Sequence, residues 1–220
     1  MPAYIKLCMQ TWGFPYILLN YSNLNEYTDL PADKLQRLTL PQIADAVRVH
    51  VLRDHGGYWL DVDTIMLGGL SEVNMFGYPA ERKASIGYLK TEAGSHMFTE
   101  WAKYQRRIYL SGKKPETQKW FLMGNGFTDE YIKRHRDITI GDIRPCQPEI
   151  SMVKGTESRY TKYQRFYFGS SYHLADIGTT DLLMLHNSWT PAWYKGLTEA
   201  EVLAKDCTLS NILRETINSH

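Results

Sequence analysis

The sequence has few cysteines, no long apolar run and almost no net charge, and each absence argues against a class of protein. Its three cysteines stand far apart, without a C-x-x-C pair, which argues against a disulfide scaffold and fits a reducing compartment. No apolar stretch reaches the roughly 18–20 residues that span a bilayer, and the N-terminus lacks the apolar core of a signal peptide. Lys and Arg number 25 against 24 Asp and Glu, which argues against a nucleic-acid binder held by phosphate neutralisation. We therefore expect a cytoplasmic protein that binds no nucleic acid.

The composition is that of an ordinary globular chain. It has 220 residues and a mass of 25.5 kDa, with 43% hydrophobic and 22% charged residues, which suits one α/β domain. Aromatic residues reach 13%. This content fits stacking against sugars or bases, and it fits an aromatic-rich core equally well, so both interpretations stay open.

The order of predicted elements indicates an α/β fold. Helices are expected at residues 2–12, 22–29, 39–55, 94–109 and 198–218, the last with a break near Asp206, and strands at 15–20, 58–61, 137–140 and 182–186. Residues 142–171 are rich in Pro, Gly and Tyr, which predicts loop with short strand pieces. A helix at the chain start is unusual, because the crossover helix of a parallel sheet links two strands. We therefore expect the sheet to lack its usual first strand.

Positive charge is concentrated in the middle of the chain. Residues 103–165 contain 14 Lys and Arg against 7 Asp and Glu, whereas residues 1–70 contain 5 against 7. A solvated basic face explains such a span. A surface for an anionic acceptor or for anionic lipid head groups explains it too, and would give peripheral association with the inner face of the membrane.

Two aspartates follow a predicted apolar strand. Asp61 and Asp63 come after residues 58–60, at the end of a strand where open α/β sheets place their ligand crevice. In an extended chain both side chains project to one side, and such carboxylates repel each other unless a cation lies beside them. Carboxylate and phosphate oxygens are ligands that Mg²⁺ and Mn²⁺ prefer. The pair predicts a divalent-metal site, although many Asp-x-Asp sequences are only surface loops.

The preceding helix carries an Asp and an Arg on an apolar background. Asp45 and Arg48 are three residues apart and therefore share one helix face, and their neighbours are mostly Ala, Val, Ile and Leu. They could form a simple intrahelical ion pair. Because a buried Asp and Arg need specific partners, the hydroxyl groups of a sugar are the other interpretation.

Together these residues resemble a known family. The pattern Ala44-Asp45-x-x-Arg48, then Leu52, then Gly56-Gly57-Tyr58-Trp59-x-Asp61-x-Asp63 is similar to the DXD-containing sugar-transferase family. That family includes bacterial capsular polysaccharide glycosyltransferases and is distantly similar to the glucosylating toxins. Weaker similarity extends from the start to about residue 70 and reappears at residues 185–189. The resemblance implies a GT-A fold, a Rossmann-type mixed sheet flanked by helices that binds a nucleotide-sugar with Mn²⁺ or Mg²⁺.

The resemblance also implies roles for Asp45, Arg48, Asp61 and Asp63. Asp45 and Arg48 would hold the donor sugar. Asp61 would contact ribose and sugar hydroxyls and, with Asp63, would ligate the metal that bridges the diphosphate. Asp61, Asp63 and Arg48 would thus carry catalysis.

Three residues late in the chain complete the expected site. By the same resemblance, His186 would supply a further metal ligand, and Ser188 and Trp189 would reach the diphosphate. A packed core imidazole is the alternative for His186, and an aromatic core cluster is the alternative for Trp189.

The implied activity is transfer of a hexose from a UDP-linked donor, with retention, to a glycan or lipid-linked oligosaccharide in capsule synthesis. The whole chain would form one domain, with a nucleotide-sugar half at 1–70, an acceptor half at 71–197 and a helical tail at 198–220. Family members usually begin with a further strand that cradles the base, so either the true start lies upstream of Met1 or the base pocket is incomplete. The second case gives an alternative function: a catalytically degenerate sugar-binding or scaffold subunit of a capsule-assembly complex. A metal-dependent phosphohydrolase would need more carboxylates than cluster here.

Overall fold

A computed structural model describes residues 1–31, 35–36, 38–110 and 123–219. The helices are α1 Ala3–Gln10, α2 Leu40–His55, α3 His96–Leu110, α4 Asn125–Arg134, α5 Glu149–Met152, α6 Arg159–Phe168, α7 Ala192–Lys195, α8 Glu199–Ala204 and α9 Thr208–Asn218. The strands are β1 Gly57–Leu60, β2 Thr64–Met66, β3 Met75–Tyr78, β4 Lys83–Thr91, β5 Ile140–Asp142 and β6 Leu182–Met184. The chain divides into two units, each assembled from separate segments.

Unit 2, formed by Ile17–Leu60 and Glu72–Asp142, contains a four-stranded mixed sheet in the order β1-β4-β3-β5. The pairs β1–β4 and β3–β4 are antiparallel, and β3–β5 is parallel. Helices α2 and α3 pack together, and α4 packs on β4. The predicted α/β class, a mixed sheet flanked by helices, is confirmed.

Helix α2 forms where its sequence predicts. Thr39 and Gln42 make a capping box, and Pro41 lies in the first turn, where its missing N–H costs no helical hydrogen bond. The helix ends at Gly56, whose φ of +65° favours glycine. One face of α2 packs into the apolar core of unit 2.

Unit 1, formed by Met1–Tyr16, Asp61–Ser71 and Ile143–His220, contains the antiparallel pair β2–β6. Helices α1, α8 and α9 pack against one another, and α1 also contacts β2. Its core is rich in tyrosine: Tyr4, Tyr163, Tyr167 and Tyr194 are fully buried. This burial favours the core interpretation for these four aromatic residues.

Several predicted elements are wrong. Residues 15–20 form no strand, and Ile17 is 61% exposed, because a short apolar run becomes a strand only where a partner ladder exists. Residues 22–29 contain only the 3₁₀ turn Leu24–Glu26, and the strand expected at 137–140 begins at Ile140. The predicted loop at 142–171 contains α5 and α6, and β3 and β4 were not predicted.

Other expectations hold. The structure confirms α1, α2, β1, α3 and β6, and the helical tail forms as α8 and α9 with its break at residues 205–207. The predicted single domain with divisions at residues 70 and 197 stays a prediction. Within the described ranges, no helix combines the length and apolar character required to cross a membrane.

Candidate functional site

The predicted site residues fall into two sets, one in each unit. Asp45 and Arg48 lie on α2 in unit 2. The other set lies in unit 1 and consists of Asp61, Asp63, His186, Ser188 and Trp189. Each set has its own contacts.

The two aspartates of the Asp-x-Asp sequence lie in a turn. The backbone N–H of Thr64 donates to the carbonyl oxygen of Asp61 at 3.0 Å, which closes a four-residue turn. Strand β1 already ends at Leu60. The expected extended geometry of residues 61–63 is therefore wrong, because these residues turn before β2 begins. That both carboxylates project to one side stays a prediction. Val62 packs against the core of unit 1, as expected.

Asp63 is tied to the segment that follows β6. Its carboxylate Oδ2 accepts from the backbone N–H of Asn187 at 2.7 Å, and its carbonyl oxygen accepts from the backbone N–H of Leu185 at 3.2 Å. The second bond continues the pairing of β2 with β6 beyond their ends. The structure thus brings Asp63 together with the predicted residues 186–189.

Tyrosine hydroxyls surround this junction. Tyr4 donates from its hydroxyl to Asn187 Oδ1 at 2.6 Å, and Tyr163 accepts from the backbone N–H of His186 at 3.2 Å. Burial raises the pKa of both tyrosines well above the ordinary value, and the negative charge of Asp63 adds to this rise. Both hydroxyls therefore stay protonated and act as fixed hydrogen-bonding groups.

His186 is held by a chain of polar side chains. Arg159 donates to Gln147 Oε1 at 2.6 Å, and the Gln147 amide nitrogen lies 3.2 Å from His186 Nε2. Because a guanidinium only donates, it fixes the amide oxygen toward Arg159 and the amide N–H toward His186. His186 Nε2 is then the acceptor. Burial, assisted by the charge of Arg159, lowers the pKa of His186 to about 4, so the ring is neutral at neutral pH.

Trp189 packs against this histidine at a tilt of 43° between the rings. The ring centroids of His186 and Trp189 are 4.1 Å apart, and Tyr163 meets the indole edge-on at 5.7 Å. Ser188 is exposed, between His186 and the half-buried Trp189. The short 3₁₀ turn Asn187–Trp189 presents both predicted diphosphate-binding residues next to Asp63.

The donor set fits a hard divalent cation in part. Asp61 and Asp63 supply carboxylate oxygens of the kind Mg²⁺ and Mn²⁺ prefer. In the described part of the chain, no group of three His, Cys, Asp or Glu is placed to hold a metal. Gln147 occupies the Nε2 lone pair of His186, so a metal role for His186 requires Gln147 to release it. The two carboxylates are thus the residues that would hold the ion, with water and ligand oxygens completing its shell.

Asp45 and Arg48 are buried, at 4% and 5% exposure. Arg48 Nη2 lies 3.4 Å from Asp45 Oδ1, and Arg48 Nη1 donates to the backbone carbonyl of Ile86 on β4. The guanidinium also lies 5.3 Å from the Trp59 ring centroid, a cation–π distance. The predicted intrahelical ion pair therefore exists, and the role of both residues in sugar binding stays a prediction.

Sequence reasoning missed four residues of the unit 1 site. Tyr4 and Asn187 fix the junction with Asp63, and Gln147 and Arg159 fix His186. One signal was available: Tyr163, Phe166 and Tyr167 on α6 follow helical spacing and are all buried, which would have predicted a helix that begins at Arg159.

Comparison with known proteins finds a family match over the early part of the chain. A family described as "capsular polysaccharide synthesis protein" matches residues 1–138, which include Asp45, Arg48, Asp61 and Asp63. Searches of curated proteins and of solved structures found no match. His186, Ser188, Trp189 and Arg159 lie beyond the matched residues. Because the match covers more than half of the sequence, the chain belongs to the capsular polysaccharide synthesis protein family.

Proposed function

We propose that this chain is a metal-dependent glycosyltransferase of capsule synthesis. It would move a hexose from a nucleotide diphosphate sugar, UDP-linked, to a glycan or lipid-linked oligosaccharide with retention of configuration. One observation carries the proposal: the carboxylate of Asp63 accepts from the backbone N–H of Asn187 at 2.7 Å. This contact joins the Asp-x-Asp turn to Ser188 and Trp189, the two residues expected to reach a diphosphate.

Leaving-group stabilisation is the main chemical demand on such a site. Negative charge develops on the β-phosphate as the anomeric bond breaks, and Mn²⁺ or Mg²⁺ bound at Asp61 and Asp63 would supply Lewis-acid stabilisation of that charge. Ser188 and Trp189 would donate from hydroxyl and indole N–H groups. A preorganised donor of this kind contributes roughly 2.7–4 kcal/mol where it acts as an oxyanion-hole donor does.

The protein residues around the leaving group are preorganised. Trp189 packs against His186 with the two rings tilted by 43° and meets Tyr163 edge-on, so its ring orientation is fixed before a ligand binds. The backbone carbonyl of Trp189 accepts from the side-chain amide of Gln164. Fixed donors lose little entropy on binding and need little reorganisation during the reaction.

Asp45 and Arg48 are proposed to bind the donor sugar and fix its orientation. Their burial and mutual ion pair mean that sugar hydroxyls would add to, or exchange with, contacts the pair already makes. The further partners proposed are a hydroxyl acceptor on a growing glycan and, for a lipid-linked acceptor, peripheral association with the inner face of the membrane. Such a protein would work in the cytoplasm.

Replacing Asp63 by Asn tests the proposal. The asparagine oxygen can still accept from the N–H of Asn187, so the turn stays attached while the carboxylate charge is removed. We expect metal-dependent release of UDP from the preferred UDP-hexose to fall more than about 100-fold, measured across a panel of nucleotide-sugars with Mn²⁺ or Mg²⁺.

Asp181→Asn is the matched control, because Asp181 is an exposed aspartate of the same unit and its substitution should leave the rate unchanged. Full activity of Asp63→Asn would refute the metal assignment. If the native chain releases no nucleotide from any donor while UDP with Mn²⁺ still raises its melting temperature, the scaffold alternative replaces the enzyme.

A further inference from the structure

Arg159 lies beside the predicted diphosphate-binding residues, and no individual role was predicted for it from the sequence. Its guanidinium carbon is 5.8 Å from the Trp189 ring centroid, and its Nη2 donates to Gln147 Oε1 at 2.6 Å. Two fixed groups, an indole face and a buried amide, therefore orient this otherwise exposed side chain. An arginine held in this way is positioned before any ligand arrives.

Most of the hydrogen-bonding capacity of Arg159 remains available. A guanidinium carries five N–H donors in one plane, and the bond to Gln147 uses one of them. Among the described residues, Gln147 is the acceptor that Arg159 meets. The remaining planar donors match the geometry of phosphate oxygens, which arginine binds in a bidentate manner.

The position of Arg159 on its helix argues against a purely structural role. Arg159 is the first residue of α6, next to the N-cap Ser158, whose hydroxyl accepts from the N–H of Thr161 at 3.1 Å. The helix dipole makes this end positive, so a cation there is unfavourable for the helix and an anion is favourable. A bound anion would offset both the charge of the Arg159 guanidinium and the positive end of the helix dipole.

The surrounding charges suit a ligand that is anionic and also binds metal. Asp63 contributes a carboxylate at one side of the segment 186–189, through Asn187, and Arg159 contributes a cation at the other, over Trp189. A diphosphate has enough oxygens to meet a carboxylate-bound cation and a guanidinium together. Arg159 also belongs to the basic span 103–165, for which an anionic ligand was one interpretation.

We propose that Arg159 is a diphosphate-binding residue, with Trp189 and Ser188 beside it and Gln147 as the residue that positions its guanidinium. This inference rests on the proposed function where it takes the diphosphate to belong to the donor nucleotide. The same chemistry occurs in a lipid diphosphate, the form of a lipid-linked acceptor. The shared ligand is a diphosphate ester, and experiment can distinguish its two sources.

Binding measurements on matched variants test the inference. Titration calorimetry of the full chain with UDP and Mg²⁺, and with inorganic pyrophosphate and Mg²⁺, compares the native chain with R159Q, R159K and R165Q. We expect R159Q to weaken both ligands about 10-fold or more, because a charge-assisted hydrogen bond is lost. R159K should lie between R159Q and the native chain, because lysine keeps the charge and loses the planar fork.

R165Q is the control for charge alone. Arg165 lies on the same helix, and it pairs with Glu157. Its removal should change either affinity less than about twofold. Melting temperatures without ligand show whether each variant is folded. Equal affinity of R159Q and the native chain for both ligands would overturn the inference, as would equal loss in R159Q and R165Q.

Failure of the inference is distinguishable from failure of the proposed function. If Asp63→Asn loses UDP release while R159Q keeps native affinity, the transferase stands and the role of Arg159 falls. If the native chain binds no UDP but binds pyrophosphate in an Arg159-dependent manner, the anion site stands and the proposed donor falls. Farnesyl diphosphate serves as the lipid probe: a loss of affinity in R159Q for UDP alone assigns the site to the donor, and a loss for farnesyl diphosphate alone assigns it to the acceptor.

Discussion

Glu149 gives the structure a pH-dependent test. The residue is 1% exposed, and neither carboxyl oxygen has a hydrogen-bond partner among the described residues. Burial raises the pKa of Glu149 to about 7, and the contact with its own backbone N–H and the nearby charge of Arg159 oppose this rise only in part. Tyr167 is a buried neighbour whose own pKa is raised, after burial, by the charge on Glu149. The carboxyl group is therefore expected to be largely protonated in the native state below neutral pH.

The magnitude follows from the two pKa values. A rise from 4.5 to about 7 corresponds to roughly 3 kcal/mol, at about 1.4 kcal/mol for each unit of pKa. Because folding raises the pKa of this acid, the native state keeps a proton that the unfolded chain has released between those pH values. The contribution of Glu149 to stability is therefore most favourable below pH 4.5, falls as the pH rises through this window, and stays low above pH 7.

Replacing Glu149 by Gln removes the charge while keeping the shape of the protonated acid. Urea unfolding of the native chain and of Glu149→Gln at pH 5 and at pH 8 gives the difference in unfolding free energy at each pH. We expect the unfolding free energy of the variant, relative to that of the native chain, to be about 2–3 kcal/mol higher at pH 8 than at pH 5. Glu199→Gln, at a half-buried glutamate of the same unit that pairs with Lys6 at 3.7 Å, is the comparison variant, and the difference between the two pH values should be below about 1 kcal/mol there.

Two results would refute this reasoning. An equal effect of Glu149→Gln at both pH values would mean that the carboxyl group has the same charge at pH 5 and pH 8. A variant that is less stable than the native chain at pH 8 would mean that the ionised carboxylate has a stabilising partner. Comparing the variant with the native chain cancels the titration of other groups, including His186, unless they are coupled to Glu149.

Two predictions concern unit 2. Asp45→Ala should cost about 3–5 kcal/mol in unfolding free energy, because it removes the buried carboxylate that pairs with Arg48 at 3.4 Å. The double replacement Asp45→Leu with Arg48→Met should cost less, and a loss below about 1 kcal/mol for Asp45→Ala would contradict a buried pair. Gly77→Ala should destabilise by about 1–3 kcal/mol or more, because a Cβ there would lie 2.0 Å from the carbonyl oxygen of Lys83. Gly69→Ala, where a Cβ meets nothing within 4 Å, is its control in the same urea measurement.

Local signals made part of the fold predictable from sequence. The capping box of Thr39 and Gln42 and the stop at Gly56 define α2, because these signals act within one turn of helix. The failure at residues 15–20 has the opposite origin: whether an apolar run pairs as a strand depends on distant residues. The parallel neighbour of β3 is β5, which lies far along the chain, and no local pattern specifies that pairing.

The residues of the candidate site that belong to a recognisable sequence motif could be predicted. Asp63 and Trp189 were expected in one site, and the structure joins their segments through Asn187. The turn at Asp61 was missed because the alternation of Asp, Val and Asp resembles a strand. Gln147 and Arg159 were missed because polar residues in a loop-like sequence give no signal until the fold brings them beside His186.

The pairing of Thr64 with Met184 has a consequence for biosynthesis. At a translation rate of about 5–20 residues per second, the ribosome needs on the order of ten seconds to make the chain between these partners. All segments of unit 2 are complete by Asp142, whereas β2 must wait for its partner strand. Nascent α1 and β2 thus expose their apolar faces until residues 182–184 have been made, and a chaperone that binds this segment would protect the chain during that interval.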